Sequence, residues 1–281
     1  MNFSNITTKM ANDQIEASSY RYANSIKGDF DRSFSSVASL SSAMSVEAGS
    51  QTASRVDSTA VLTRALQDNR DFFGLWMCFE PNTFDGKDAE FVNKQAEGDA
   101  RGRYVPYVFR GSNGSATQSE SLVGYDVPGD GDYYLKARDS GRFNITTPFY
   151  YTAGGKTIFV TSAAVPIKKN DKVLGAIGGD LVVDDIAARV LGIKMYQTGY
   201  AYLLDHNGIV VSHPNKDLVL KPISPPRCAP PTRTARRKSW KVRPGSPESR
   251  VLSPFAPWRY PTPAANGAWS FPRRRTKSWP R

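Results

Sequence analysis

Apolar residues recur at intervals of three, four or seven along the first fifty positions: Ile15, Tyr22, Ile26, Phe30, Phe34, Val37, Leu40 and Met44. That spacing puts one stripe on a helix over about residues 8–50, with serines on much of the other face and Gly49 as a stop. A second helix is expected over 57–68, carried by Val61, Leu62, Ala65 and Leu66. The period then shortens. Residues 71–80 (DFFGLWMCFE) read as a mostly apolar, central strand ended by Pro81. Asp85-Gly86 marks a turn. Residues 104–110 form another strand, which Pro106 assigns to an edge or a bulge, and an exposed loop follows over 110–115.

The stretch from Tyr125 to Asp180 carries the densest information. A Pro-Gly-Asp-Gly turn (128–131) delivers Tyr133 and Tyr134 onto a short helical segment ending near Ser140-Gly141. Strand-like runs at 145–151 and 157–167 are joined by Gly154-Gly155, a two-residue hairpin signal. A third run, 173–183, is apolar except for Asp180. A carboxylate in such a strand is costly unless something compensates it. Asp180 with Tyr125, Tyr133, Tyr134, Tyr150 and Trp76 suits a cationic ligand, since aromatic faces attract ammonium groups. Arg110 or Arg138 would supply an anchor for a ligand carboxylate. After this region Asp184-Asp185 is expected to cap a helix over 186–193, and runs at 198–204 and 209–212 to form a hairpin around Asp205-His206-Asn207-Gly208.

These pieces resemble the double-Cache extracytoplasmic sensor domain of bacterial methyl-accepting chemotaxis receptors. The matching segments, in order, are FEPNTFDGKDAEF, RYVPYVFRG, GDYYLKAR, TTPFYY, GGKTIFVTSAAVPI and LGAIGGDLVVDDI. The resemblance runs from about residue 8 to 223 and implies an α/β (α+β) fold with PAS-like antiparallel sheets. Residues 1–51 would be a stalk helix and 52–183 the membrane-distal, ligand-binding module. Residues 184–223 would open a second, membrane-proximal module that stays incomplete. It also implies a homodimer through the N-terminal helix and a small polar organic ligand. In amino-acid-sensing members the acid equivalent to Asp180 holds the ligand ammonium. An arginine two residues before the aromatic pair holds its carboxylate. Here that position is Gly131, which favours amines or quaternary ammonium compounds over α-amino acids.

Charge divides the chain. The formal net charge is +11, yet residues 224–281 hold 14 Lys and Arg against one acid, leaving the rest slightly acidic. That segment also has 12 prolines and four of the five tryptophans, with no hydrophobic period. It reads as a shifted reading frame or as a basic disordered tail, without strands. Its Arg/Lys and Trp interleaving imitates a single-strand nucleic-acid-binding segment, but beside a sensor a nucleic-acid partner is not expected.

Enzyme signatures are absent: there is no GxSxG, Walker A or HExxH, and the 175–179 glycines lie within a strand. His206 and His213 read as turn and surface residues. Cys78 reads as a core residue, and two cysteines without CxxC spacing make no framework. No cofactor or metal is expected. No run of about 18 apolar residues occurs and the N-terminus has no apolar signal core. The flanking membrane helices of the resembled receptors would therefore lie outside this sequence. The expected function is extracytoplasmic small-molecule sensing for chemotaxis, with a histidine kinase or diguanylate cyclase as the alternative output.

Overall fold

In the computed structural model, which describes residues 3–223 apart from 95, 112–116 and 198, the N-terminal stripe forms α1 (Phe3–Glu47). At about 1.5 Å per residue this helix is about 68 Å long. Its C-terminal half is the packed half: Val37 and Met44, with Ala48 just beyond the last turn, join the main core, and Ser41 Oγ donates to the Pro166 carbonyl at 2.9 Å. Gly49 follows with φ +71°, and its N–H donates to the Phe84 carbonyl at 2.6 Å. A left-handed residue there suits glycine and turns the chain into α2 (Arg55–Asp68). The α2 start comes from Ser54, whose hydroxyl accepts from the Asp57 N–H.

Seven antiparallel strands make the sheet. They are β1 (Phe72–Phe79), β2 (Pro106–Arg110), β3 (Thr117–Ser121), β4 (Asn144–Ile145), β5 (Phe149–Ala153), β6 (Lys156–Lys169) and β7 (Lys172–Val182). Their order is β3-β2-β1-β7-β6-β4, and β5 also pairs with β6. Gly154 and Gly155, at φ +54° and +76°, close the β5–β6 hairpin as the sequence predicts. Between β3 and β4 lies α3 (Asp132–Ser140), which carries the tyrosine pair and ends at left-handed Gly141.

Three local readings change. β2 is interior, because the polar strand β3 (TQSES) covers its outer side. Pro106 is tolerated as the first residue of β2. The run 145–151 is two strands: pairing with β6 breaks at Thr146–Pro148, where proline lacks a donor. The last helix, α4 (Val183–Leu191), starts directly from β7 with Val182 as its cap position. Asp184 and Asp185 sit in its first turn and interact with the helix dipole instead of capping it.

The sheet separates two cores. On one face Phe72, Leu75, Met77, Phe79, Val108, Ile177 and Leu181 meet α1 and α2. On the other Trp76, Cys78, Tyr107, Phe109, Ala164 and Ala176 meet Tyr125, Tyr133 and Tyr134. The alternation of strand side chains produces this division. Beyond α4, β8 (Lys194–Met195) pairs with β9 (Gly199–Tyr200), and β10 (Leu203–Leu204) with β11 (Val210–Ser212) around the expected Asp205 turn. A third core joins this segment to Ile26 of α1 and to Val183, Ile186 and Val190. Among the described residues no helix is long and apolar enough to cross a membrane. Cys228 and the 224–281 reading lie outside the described residues, as does most of the 110–115 loop.

A buried arginine fixes the loop between β1 and β2. Arg55 forks onto Asp85 (2.7 and 2.8 Å), reaches Asp88 (2.7 Å), and donates to the Glu97 and Gly102 carbonyls at 2.6 and 2.7 Å. All five donors are used, and the guanidinium lies over Phe91 at 4.1 Å. Burial opposes the Asp85 charge, but the Arg55 bonds outweigh it and hold that carboxyl below its ordinary range.

Candidate functional site

Asp180 sits at the centre of the aromatic face. Its cross-strand neighbours are Gly74 on β1 and Ser162 on β6. Glycines next to it make room for rings lying flat on the sheet. A Cβ on Gly74 would come within 2.5 Å of the Tyr107 ring, and one on Gly178 within 2.2 Å of the Trp76 ring. Large aromatics on β1 and β2 can therefore cover β7 only because β7 and β1 carry no side chain beneath them.

Asp180 is 4% exposed and has no ion-pair partner among the described residues. The Ser162 hydroxyl donates to its Oδ1. Trp76 Nε1 and the Tyr107 hydroxyl also face it and favour its charged form, but neither closes a hydrogen bond of normal geometry. Desolvation dominates and lifts the Asp180 carboxyl to about 6. The buried Tyr151 hydroxyl is likewise without a hydrogen-bond partner. Three buried polar groups without completed bonds, gathered around one carboxylate, are a departure from ordinary core construction.

Of the sequence-predicted residues, the structure gathers Asp180, Trp76 and Tyr133. Tyr133 meets the Trp76 ring edge-on at 5.2 Å, and its hydroxyl donates to the Val123 carbonyl at 3.0 Å. Tyr134 and Tyr125 form an adjoining wall with ring centroids 6.3 Å apart, but their hydroxyls turn away to a polar cluster. Tyr134 donates to Glu80, and Tyr125 donates to Asp99 and accepts from Arg101 at 2.7 Å. Arg103 lies over the Tyr125 ring at 4.7 Å and donates to the Phe79 carbonyl.

Two predicted residues are elsewhere. Tyr150 is 64% exposed and packs on Phe159, on the outer side of β5. Its neighbour Tyr151 faces the site instead, because one residue along a strand changes the face. Arg110 sits at the end of β2 and donates to the Phe72, Leu66 and Asn69 carbonyls at 3.0, 2.6 and 2.9 Å. It secures the end of α2 on the helix side of the sheet. Sequence reasoning missed Tyr107, Ser162 and Tyr151. Their signal was a polar atom on the same alternating face as Trp76 or directly opposite Asp180.

A long helix, an antiparallel PAS-like sheet and an aromatic layer over its free face define a sensor domain of the Cache type. Residues 58–188 match the family of methyl-accepting chemotaxis protein-like, first PDC sensor domains. The methyl-accepting chemotaxis protein TlpQ of Pseudomonas aeruginosa is 31% identical over 144 residues, 48% of this chain and 20% of that protein. Among solved structures, the extracellular domain of mmHK1S-Z3, a candidate histidine kinase, is 30% identical. That match covers 75% of this chain and 73% of the other at a TM-score of 0.66. Methyl-accepting chemotaxis protein X is 25% identical over 77% of this chain and 79% of its own, also at 0.66. Over residues 58–188 the chain carries a sensor module of this PDC, or Cache, type. It spans about a fifth of the length of the curated relatives it matches.

Proposed function

We propose that the chain is the extracytoplasmic sensing domain of a chemotaxis receptor and that it binds a small cationic amine through Asp180. The observation that carries this reading is a fully buried carboxylate without a cationic partner, faced by Trp76, Tyr107, Tyr133 and Tyr151. A bound ammonium group would neutralise Asp180 and rest against π faces, each contributing about 0.5–2 kcal/mol. Tyr125 and Tyr134 would shape the wall of the same site.

Two facts favour an amine over an α-amino acid. A Cβ at Gly131 would lie 2.3 Å from the Tyr125 carbonyl oxygen, so the position that bears arginine in amino-acid-sensing members has no space for a side chain. The guanidinium groups on this face, Arg101, Arg103 and Arg138, are engaged with Asp126, Glu80 and Asp139. The N-terminal half of α1 presents Met10 and Tyr20, 67% and 64% exposed, which supports a homodimer along that helix. The similarity to mmHK1S-Z3 favours a second reading, in which the same domain feeds a histidine kinase.

A thermal-shift screen of primary amines, quaternary ammonium compounds and matched α-amino acids tests the ligand class. At one hundred times Kd a ligand adds about 2.7 kcal/mol, or about 5–10 °C in a chain of this size. The expected hits are amines that fail to stabilise Asp180→Asn. Stabilisation by α-amino acids that survives Asp180→Asn would overturn the assignment.

A further inference from the structure

Asp180 is joined to the segment beyond α4 by a continuous chain of polar contacts that packing alone does not require. Ser162 donates its hydroxyl to Asp180 Oδ1. The backbone of Ser162 is held on both sides by one residue: its N–H donates to Thr146 Oγ1 at 3.0 Å, and its carbonyl accepts the Thr146 N–H at 3.0 Å. Thr161 adds a third tie, from its hydroxyl to the Thr146 carbonyl at 2.8 Å. The next residue, Thr147, donates to Asp205 Oδ2 at 2.6 Å. Asp205 Oδ1 then accepts the Asn207 and Ile209 N–H groups, both at 2.8 Å. Ser162, Thr146, Thr161 and Asp205 are all buried, so water does not compete for these bonds.

The middle of this chain also coincides with a gap in the outer pairing of β6, between β4 and β5. Pro148 restricts Thr147 to an extended conformation. A cavity of about 20 Å³ lies beside it, lined by Phe30, Thr146, Pro148, Val183, Asp205 and Val211 among others. Thr146 keeps one backbone bond, to Ser162, while Thr147 and Pro148 lie outside the strand pairing and next to unfilled space, so the segment can take up a second position more cheaply than a fully paired strand.

We propose that Thr146–Pro148 is the coupling element by which the state of Asp180 reaches the Asp205 turn. Asp180 acts on Ser162, Ser162 and Thr146 move as one unit, and Thr147 sets the hold on Asp205. What drives the element rests on the reading of Asp180 as the ligand carboxylate. The connection itself does not, and it is tested without ligand.

Amide hydrogen exchange of Asn207 and Ile209 reads the far end of the chain. The Gly192 amide, bonded to the Ala188 carbonyl at 3.0 Å, serves as a control outside it. In the full chain, Ser162→Ala should accelerate exchange at 207 and 209 at least about fivefold more than at 192, the low end of ordinary coupling between sites. Thr146→Val, which breaks the next link, should do the same, and Thr146→Ser, which keeps the hydroxyl, should not. In a Thr147→Val background the Ser162→Ala effect should disappear. Equal acceleration at all three amides, no change at 207 and 209, or an effect that persists in Thr147→Val would overturn the proposal.

Discussion

Replacing Asp180 by asparagine should make the domain more stable at neutral pH and leave it unchanged in acid. The carboxyl rises from an ordinary 3.8 to about 6, with desolvation as the largest cause and the Ser162, Tyr107 and Trp76 donors acting against it. The folded pKa therefore exceeds the unfolded one, so the folded state binds the proton more tightly. Below about pH 4 both states hold the proton and no penalty exists. Between pH 4 and 6 the unfolded chain ionises first and stability falls. Above about pH 7 both are ionised and the full penalty remains, about 3 kcal/mol at 1.4 kcal/mol per tenfold. Asparagine keeps an oxygen for Ser162 and never carries the charge. Urea denaturation of the full chain and of Asp180→Asn from pH 4 to 8 would read the difference directly, because other titrating groups cancel. The two stability curves should diverge by about 3 kcal/mol between pH 4 and 7, with the variant above. Parallel curves would refute the claim that Asp180 is buried without compensation. A stabilising change at Asp180 is what the proposed binding role predicts, since a group held for a ligand is left uncompensated without it.

Three further outcomes follow from the packing. Arg55→Lys strands Asp85, Asp88 and two carbonyls that a lysine cannot fork onto; it should cost about 3–5 kcal/mol by urea denaturation, and a loss below about 1 kcal/mol would contradict the buried clamp. Gly178→Ala forces a methyl to within 2.2 Å of the Trp76 ring; a loss of about 1–3 kcal/mol should accompany a changed near-UV circular dichroism spectrum, and an unaltered spectrum would speak against the ring lying on β7. Ser54→Ala removes the α2 cap and should cost about 1 kcal/mol, with faster amide exchange confined to the first turn of α2; uniform or absent acceleration would show that Ser54 does not start the helix.

Periodicity made the scaffold legible. The α1 stripe, the glycine hairpin at 154–155 and the α3 stop at Gly141 all express local rules that act within a few residues. β3 was not legible, because TQSES has neither alternation nor apolar content and forms a strand only by pairing with β2. The split at Thr146–Pro148 was hidden inside one apolar-aromatic run, although Pro148 marks it. At the candidate site, Asp180 stands out locally as a lone acid in an apolar run, Tyr133 as half of a tyrosine pair after a turn, and Trp76 as the large aromatic of an apolar strand. Choosing Tyr150 over Tyr151 failed because the face of β5 depends on its register with β6, which no local signal sets. Arg110 failed for a similar reason: it follows Phe109 by one residue and so points to the helix side. Tyr107 and Ser162 become visible only once β2, β1, β7 and β6 are set side by side.

If Asp180 awaits a cation, its own titration will show it. Carbon-13 NMR of the aspartate carboxyl groups, with Asp180→Asn to assign the signal, would follow it from pH 3 to 8. Without ligand, Asp180 should titrate at about 6. With the amine that gives the largest thermal shift, its midpoint should fall well below that, because a neighbouring cation favours the carboxylate. An Asp180 signal that titrates near 3.8 in the free protein, or one that no amine displaces, would contradict the account.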